Sequence, residues 1–486
     1  MTARCIMVLG TTSGAGKSWL ATALCRHYAR RGLSVAPFKA QNMSNNARVV
    51  ATETGHGEIG SAQYLQALAA RVRPAVDMNP VLLKPEADMK SQVVVLGQVD
   101  RALSATPWRE RGPRLWPVVT AALDRLRAAH DVVILEGAGS PTEINLMDND
   151  IVNLPMGRHA DARHLLVTDI DRGGAFAHLY GTWAFMPPED RARLAGFVLN
   201  RFRGDAALLA PGPAMLEERT GVPVVATLPM WWRHGLPEED AVFAQYRASG
   251  ATVTTRVAIL AWPRISNLDE FQPLANVPGM ALTWARTPAE CLAADLLILP
   301  GSKHTSADLL WMRAQGLDRA VVRHAEAGKR VLGICGGLQM LGEALIDVHD
   351  IDGNGPGLGV LPLVSQFAVE KTVRPAQARF AALPGAWAAL SGIEINGYEI
   401  RHGQTAQHAG LAAQGKLAHV ALPGLGWRNE AGNVLGITLH GLFENTAVLR
   451  ALFGADTPDL DTVFDGLADF IQEHFAPGLL ERLVAA

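Results

Sequence analysis

Residues 7–20 read MVLGTTSGAGKSWL: an apolar run, a turn of small residues, then Lys17-Ser18 opening a helical pattern. A phosphate group needs several converging N–H donors and a cation, and small residues let the backbone curl around it. The helix N-terminus that follows adds its dipole, Lys17 is placed for the outer phosphates and Ser18 for a Mg²⁺ ion. The first glycine, Gly10, stands one place earlier than the pattern G-x-x-x-x-G-K-[ST] asks. Strand, Gly-Lys-Ser and helix nevertheless come in the required order. Thr11, Gly14, Gly16, Lys17 and Ser18 are therefore the expected contacts of a bound nucleoside triphosphate.

Working outward, short runs rich in Val, Ile and Leu recur at 5–9, 33–38, 132–135, 165–168, 196–199 and 223–228. They resume at 257–261, 296–299, 331–334 and 434–439, with helical patterns between them. Such runs suit parallel strands buried on both faces, and their alternation with helices predicts doubly wound α/β architecture. The 486 residues are too many for one such domain. The polar stretch 231–255 marks the expected boundary, which gives domains 1–250 and 251–486. Thr462 to Leu483 reads as an amphipathic helix packed on the second domain. A net charge of −3 gives no reason to expect nucleic acid or an anionic membrane as partner. Four cysteines in so long a chain, no secretory leader and no long apolar run argue for a soluble cytoplasmic protein. Composition leaves homo-oligomerisation open.

In open α/β sheets ligands bind beyond the carboxyl ends of the strands, so the residues just after each run deserve most weight. Glu136 follows the run 132–135 in LEGAGSPTEINL and is the expected Mg²⁺ carboxylate, with Ser18 as its partner. Glu58, in GHGEIGSAQ, is a further expected Mg²⁺ ligand, and Asp169 and Asp171, in VTDIDRGG, are candidates at the same edge, although for each of the three a helix cap or a solvated carboxylate is an equally common reading. Lys39, Gln41 and Asn42, in PFKAQNMSNNA, are placed to hold a substrate carboxylate or a transferring phosphoryl group. Asn200 reads either as a nucleobase contact or as a strand-ending turn residue.

The second half carries different chemistry. Residues 330–342, RVLGICGGLQMLG, contain G-x-C-x-G, in which glycines flank Cys335 and permit a strained strand-to-helix turn that exposes the sulfur. A helix N-terminus beneath a thiol favours its thiolate. The Gly336 N–H is placed as one oxyanion donor, and Gly301, in LPGSKHTS, as the second. His440, in GITLHGLFEN, ends another strand and is the expected base. Cys5, Cys25 and Cys291 have no such context and read as core.

Taken together, the chain resembles the cobyric acid synthase family over essentially its whole length. LPGSK, GICGGLQMLG and LHGLFEN resemble a triad-class glutamine amidotransferase domain of flavodoxin-like fold. GTTSGAGKS and EGAGS resemble dethiobiotin-synthetase-like P-loop ATPases, and PFKAQNMSNNA, EGAGSPTEINL and VTDIDRGG point within that group to cobyric acid synthases.

The resemblance implies that Cys335 takes ammonia from L-glutamine with His440 moving protons, while Lys17, Ser18 and Glu136 hold ATP and Mg²⁺. It implies amidation of the b, d, e and g carboxylates of adenosylcobyrinic acid a,c-diamide. Many triad glutaminases carry a glutamate two residues beyond the histidine; here that position is Leu442, and Glu444 lies four residues on. The departure, shared by the resembled subfamily, implies a weakly polarised His440 and slow glutamine hydrolysis unless the synthetase site is occupied. Two rivals stand beside this reading. One is a related ATP-dependent amidase such as a cobyrinic acid a,c-diamide synthase. The other is a P-loop switch ATPase whose amidotransferase-like domain is inert.

Overall fold

The computed structural model describes residues 2–87, 90–232, 234–237 and 253–485. The chain packs as two compact units. The first comprises Met1–Ser44, Val50–Asp240 and Asp459–Ala486, the second Asn45–Val49 and Ala241–Pro458. Most of the expected boundary stretch lies outside the described residues.

The first unit is built on β1 (Arg4–Gly10), β2 (Val35–Phe38), β3 (Val132–Glu136), β4 (Arg163–Asp169), β5 (Leu194–Phe202) and β6 (Val224–Pro229). They form one sheet in the order β6-β5-β4-β1-β3-β2, every neighbouring pair parallel. Ile6–Leu9 and Val132–Leu135 are buried on both faces, which is why these runs carry no polar alternation. The helix Lys17–Arg30 follows β1 directly, with Gly16 at its N-cap in the left-handed region (φ 101°). A side chain there would be strained, and its Cβ would fall 2.0 Å from the Asn200 amide nitrogen.

The helix Leu460–His474 belongs to this first unit, which corrects the expectation that it covers the second. Its Phe464, Leu467 and Ile471 share a core with Leu20, Leu24 and Tyr28. Arg26, almost fully buried, pairs with Asp461 at 3.0 Å and Asp465 at 2.8 Å. Amphipathicity shows that one face of a helix is covered, not which sheet covers it.

The second unit contains β7 (Thr255–Leu260), β8 (Met280–Ala285), β9 (Leu296–Leu299), β10 (Arg330–Ile334), β11 (Leu363–Arg379), β12 (Glu394–Gln407), β13 (His419–Leu422), β14 (Gly426–Arg428) and β15 (Val434–Ile437). Its main sheet runs β8-β7-β9-β10-β15-β14-β13. The first five strands are parallel in the flavodoxin order 2-1-3-4-5, and β14 and β13 extend them antiparallel. The long antiparallel hairpin β11–β12 stands in a separate sheet. Neither the hairpin nor β8 was among the expected strands. β8 carries Thr283 and Trp284 in a short mixed run, and β11 is mostly half-exposed, so neither shows the apolar block of a buried parallel strand.

Candidate active sites

In the first unit, Glu136 ends β3 with almost no exposure and four side chains converge on its carboxylate. Ser18 Oγ and Lys39 Nζ both donate to Oε1 at 2.8 Å, while Gln66 Nε2 donates to Oε2 at 2.6 Å and Gln63 Nε2 at 3.4 Å. Burial alone would raise its pKa; Lys39, Gln66 and Ser18 outweigh burial and hold the carboxyl below the ordinary glutamate range. Lys17 Nζ donates to the carbonyls of Thr12 at 2.9 Å and Gly139 at 3.1 Å, which bends its side chain back over the loop.

A cavity of about 470 Å³ opens beside these groups, within the range of small-molecule sites. Gly14, Lys17, Ser18, Lys39, Gln41 and Asn42 are on its wall, as is Glu136. Several expected contacts sit elsewhere. The Thr11 hydroxyl shares a 2.9 Å hydrogen bond with Thr168. The Asn200 side chain donates to Ala15 O at 2.9 Å and accepts from Arg201 N at 2.9 Å, so it braces the loop from behind. Glu58 is buried against Lys84 at 2.5 Å, and neither residue is on the cavity wall. Asp169 pairs with Arg201 at 3.1 Å and Arg172 at 3.4 Å, and Asp171 pairs with Arg203. Gln63, Gln66 and Asn153 were missed by the sequence reading. Asn153 accepts from Ala138 N at 3.0 Å and donates back to Ala138 O at 3.0 Å, which fixes the glycine-rich loop after β3. Amide side chains on a helix or in a loop carry no sequence signal of this kind.

In the second unit, Cys335 sits between β10 and the helix Gly336–Leu341 with φ 50° and ψ −105°. A left-handed φ at a non-glycine residue is strain, and here it holds the sulfur at the end of the strand. His440, one per cent exposed, follows β15. Its Nδ1 lies 2.8 Å from Glu270 Oε1, and Glu270 Oε2 accepts from Gly441 N at 2.9 Å. The Cys335 sulfur, bonded to Ile400 O at 3.9 Å, acts electrostatically on the same imidazole. Burial alone would lower the histidine's pKa, yet the Glu270 carboxylate and the Cys335 sulfur push it up to about 10.

Cys335, His440 and Glu270 thus form a triad whose acid comes from a turn far upstream. This corrects the weakly polarised histidine inferred from Leu442, and removes the ground given for slow glutamine hydrolysis. Leu442 is core, and Glu444 is bonded to Arg48. Glu270 was legible only as part of NLDEF, a short turn with no motif.

Gly301 lies against the histidine: a Cβ there would fall 2.7 Å from His440 Cε1 and 2.3 Å from Ser266 Oγ. Gly336 is equally close to Ser302, its added Cβ 2.7 Å from Ser302 N. Both expected oxyanion glycines therefore line the immediate surroundings of the triad. Cys5, Cys25 and Cys291 are free and buried. Burial pushes the thiols of Cys5 and Cys291 up to about 11 and about 12, and raises that of Cys25 as well.

Comparison with known proteins matches each half of the chain to a family. Residues 6–241 match the model of the CobQ/CobB/MinD/ParA nucleotide binding domain, and residues 256–448 that of the CobB/CobQ-like glutamine amidotransferase domain. Fold and matches together define a ligase that uses a nucleotide and takes its nitrogen from glutamine. A protein of Acidovorax ebreus (strain TPSY), named cobyric acid synthase, is 67% identical with 99% of each chain covered. Proteins of the same name from Paracidovorax citrulli (strain AAC00-1) and Variovorax paradoxus (strain S110) are 68% and 67% identical, covering 98% and 100% of each chain. The chain belongs to the cobyric acid synthase family.

Proposed function

We propose that the chain makes adenosylcobyric acid by amidating the b, d, e and g carboxylates of adenosylcobyrinic acid a,c-diamide, with ATP, Mg²⁺ and L-glutamine. The observation that carries the nitrogen half is the Glu270–His440 hydrogen bond together with Cys335 held at its strained strand-to-helix turn. Cys335 Sγ attacks the glutamine amide carbon, and the resulting oxyanion is held by main-chain N–H groups at Gly336 and Gly301. His440 delivers a proton to the departing ammonia, leaving a thioester; it then takes one from water, and glutamate is released. Glu270 keeps the imidazole in one tautomer and stabilises its charged form.

In the first unit, ATP lies on the loop 10–18 with Lys17 at its outer phosphates. Ser18 and Glu136 place two hard oxygens side by side at the cavity wall, a donor set that suits Mg²⁺ completed by water and phosphate oxygens. The ion, when bound, neutralises phosphate charge. Lys39, Gln41 and Asn42 orient the substrate carboxylate. That carboxylate takes the γ-phosphoryl group of ATP, ADP leaves, and ammonia attacks the acyl phosphate to give amide and phosphate. A carboxylate is a poor electrophile until phosphate becomes its leaving group, which is why two sites serve one product.

Among the described residues no helix is long and apolar enough to cross a membrane. We place the reaction in the cytoplasm, where ATP and glutamine are supplied. Mass spectrometry of the a,c-diamide after incubation with the protein, ATP, Mg²⁺ and glutamine tests the reading. Each conversion exchanges hydroxyl for amino, about one dalton lighter, and amide-¹⁵N glutamine labels every new nitrogen. Four labelled nitrogens are expected. ATP consumed with no nitrogen added to this corrinoid would move the substrate elsewhere.

A further inference from the structure

The second unit contains five residues from the first half of the sequence, Asn45–Val49, and they are fastened to the turn that bears Glu270. Asn46 Oδ1 accepts from Leu268 N at 2.7 Å, Asn267 Nδ2 donates to Ala47 O at 2.8 Å, and Asn267 N donates to Asn45 O at 3.3 Å. At the centre is Arg48, buried on all sides. Its Nη2 lies 2.5 Å from Asp269 Oδ2, Nη1 is bonded to Glu444, and its guanidinium carbon is 5.1 Å from the centre of the Tyr398 ring.

Each of these partners touches the triad or adjoins it. Asp269 precedes Glu270 in the chain. Tyr398 stacks on His440 with ring centres 5.6 Å apart and planes at 25°, and the two exchange main-chain hydrogen bonds of 2.8 and 3.2 Å. Glu444 closes the short turn Leu442–Glu444 that follows His440. We propose that Arg48 is a positioning residue of the glutaminase, holding the Glu270 turn, Tyr398 and the His440 turn in the one arrangement that orients the imidazole toward Cys335.

The electrostatics require a cation here. Asp269, Glu270 and Glu444 bring three carboxylates together beside Tyr398, and buried like charges repel strongly unless a fixed positive charge lies among them. Burial already raises the Glu444 pKa despite Arg48. A guanidinium suits the place because its fork reaches two carboxylates while its flat face meets an aromatic ring, and an ammonium does only part of this.

The proposal rests on the glutaminase reading above, and its test keeps the two apart. The full chain is assayed as wild type, Arg48→Met and Arg48→Lys, with ATP, Mg²⁺ and the a,c-diamide present, once with glutamine and once with ammonium chloride. In Arg48→Met, kcat for glutamine hydrolysis is expected to fall about 10²-fold with KM for glutamine within about twofold, as for lost orientation rather than lost binding. The ammonium-driven rate should stay at the wild-type value. Arg48→Lys, which restores the charge but not the fork, should recover roughly tenfold of the loss. Unchanged glutamine hydrolysis in Arg48→Met overturns the proposal. So does a parallel loss of both nitrogen sources and of thermal stability that Lys does not relieve, because that is a folding defect. A wild-type chain inert toward glutamine would remove the glutaminase reading, and the proposal with it.

Discussion

Glu270 Oε1 lies 2.8 Å from His440 Nδ1 although the two residues are separated by 170 positions of sequence. The same carboxylate accepts from the Gly441 N–H at 2.9 Å, so both of its oxygens are directed at the histidine segment. A carboxylate held this way fixes which ring nitrogen carries the proton and stabilises the charge that forms during acyl transfer.

Replacing Glu270 by Gln retains the size of the side chain and removes its charge. The amide presents an N–H where the imidazole needs an acceptor, so the wrong tautomer is favoured. Glutamine-dependent amidation is expected to fall about 10²–10⁴-fold, the scale of a lost triad acid, while ammonium-dependent amidation is retained. Initial rates with the two nitrogen sources, measured on one preparation, decide it. A Glu270→Gln enzyme as fast as wild type on glutamine would mean that the contact is structural.

The two sites should also separate by nitrogen source. Cys335→Ser is expected to abolish turnover on glutamine and leave turnover on ammonium salts, because only ammonia supply is lost. Lys17→Ala is expected to abolish both, since the carboxylate can no longer be activated. A Cys335→Ser chain that is equally dead with ammonium would break the division of labour, provided its unfolding transition matches wild type.

What could be read from sequence alone was chemistry that is local in the chain. Gly-Lys-Ser and Gly-Ile-Cys-Gly-Gly each place a reactive side chain and its strand-to-helix turn within a few residues, so Lys17, Ser18 and Cys335 were found at once. His440 followed because it ends an apolar run. Glu270, Gln66 and Arg48 escaped because each acts through a partner remote in sequence, and an acid, an amide or a basic residue in a turn or helix looks the same whether it meets solvent or a histidine. The parallel strands other than β8 were visible as apolar blocks. The hairpin β11–β12, half-exposed along its length, was not.

The pH dependence of stability carries a signature of the triad. His440 has a pKa pushed up to about 10 in the folded chain, against about 6.5 for an ordinary histidine. Because the folded value is the higher one, the stabilisation from charged His440 is fully present below about pH 6.5 and is lost as pH rises toward 10. Glu270→Gln removes the largest cause of the elevation. Melting temperatures recorded between pH 6.5 and pH 10 should therefore fall more steeply for wild type than for Glu270→Gln. Parallel curves would show that His440 does not hold its proton in this way.

The assignment of the helix Leu460–His474 to the nucleotide-binding unit can be tested through stability and activity together. Asp459 caps Leu460–His474 by accepting from Thr462 N at 2.8 Å, and Leu467 is completely buried in the core that contains Leu20 and Leu24 of the helix after the phosphate loop. Leu467→Ala leaves a cavity there and should cost about 2–5 kcal/mol. Since the damaged core backs Lys17 and Ser18 rather than Cys335, warming should inactivate the ammonium-driven amidation of Leu467→Ala before it inactivates glutamine hydrolysis. Residual rates of the two half-reactions after graded heating measure this order. The reverse order, with glutamine hydrolysis lost first, would return the helix to the amidotransferase unit.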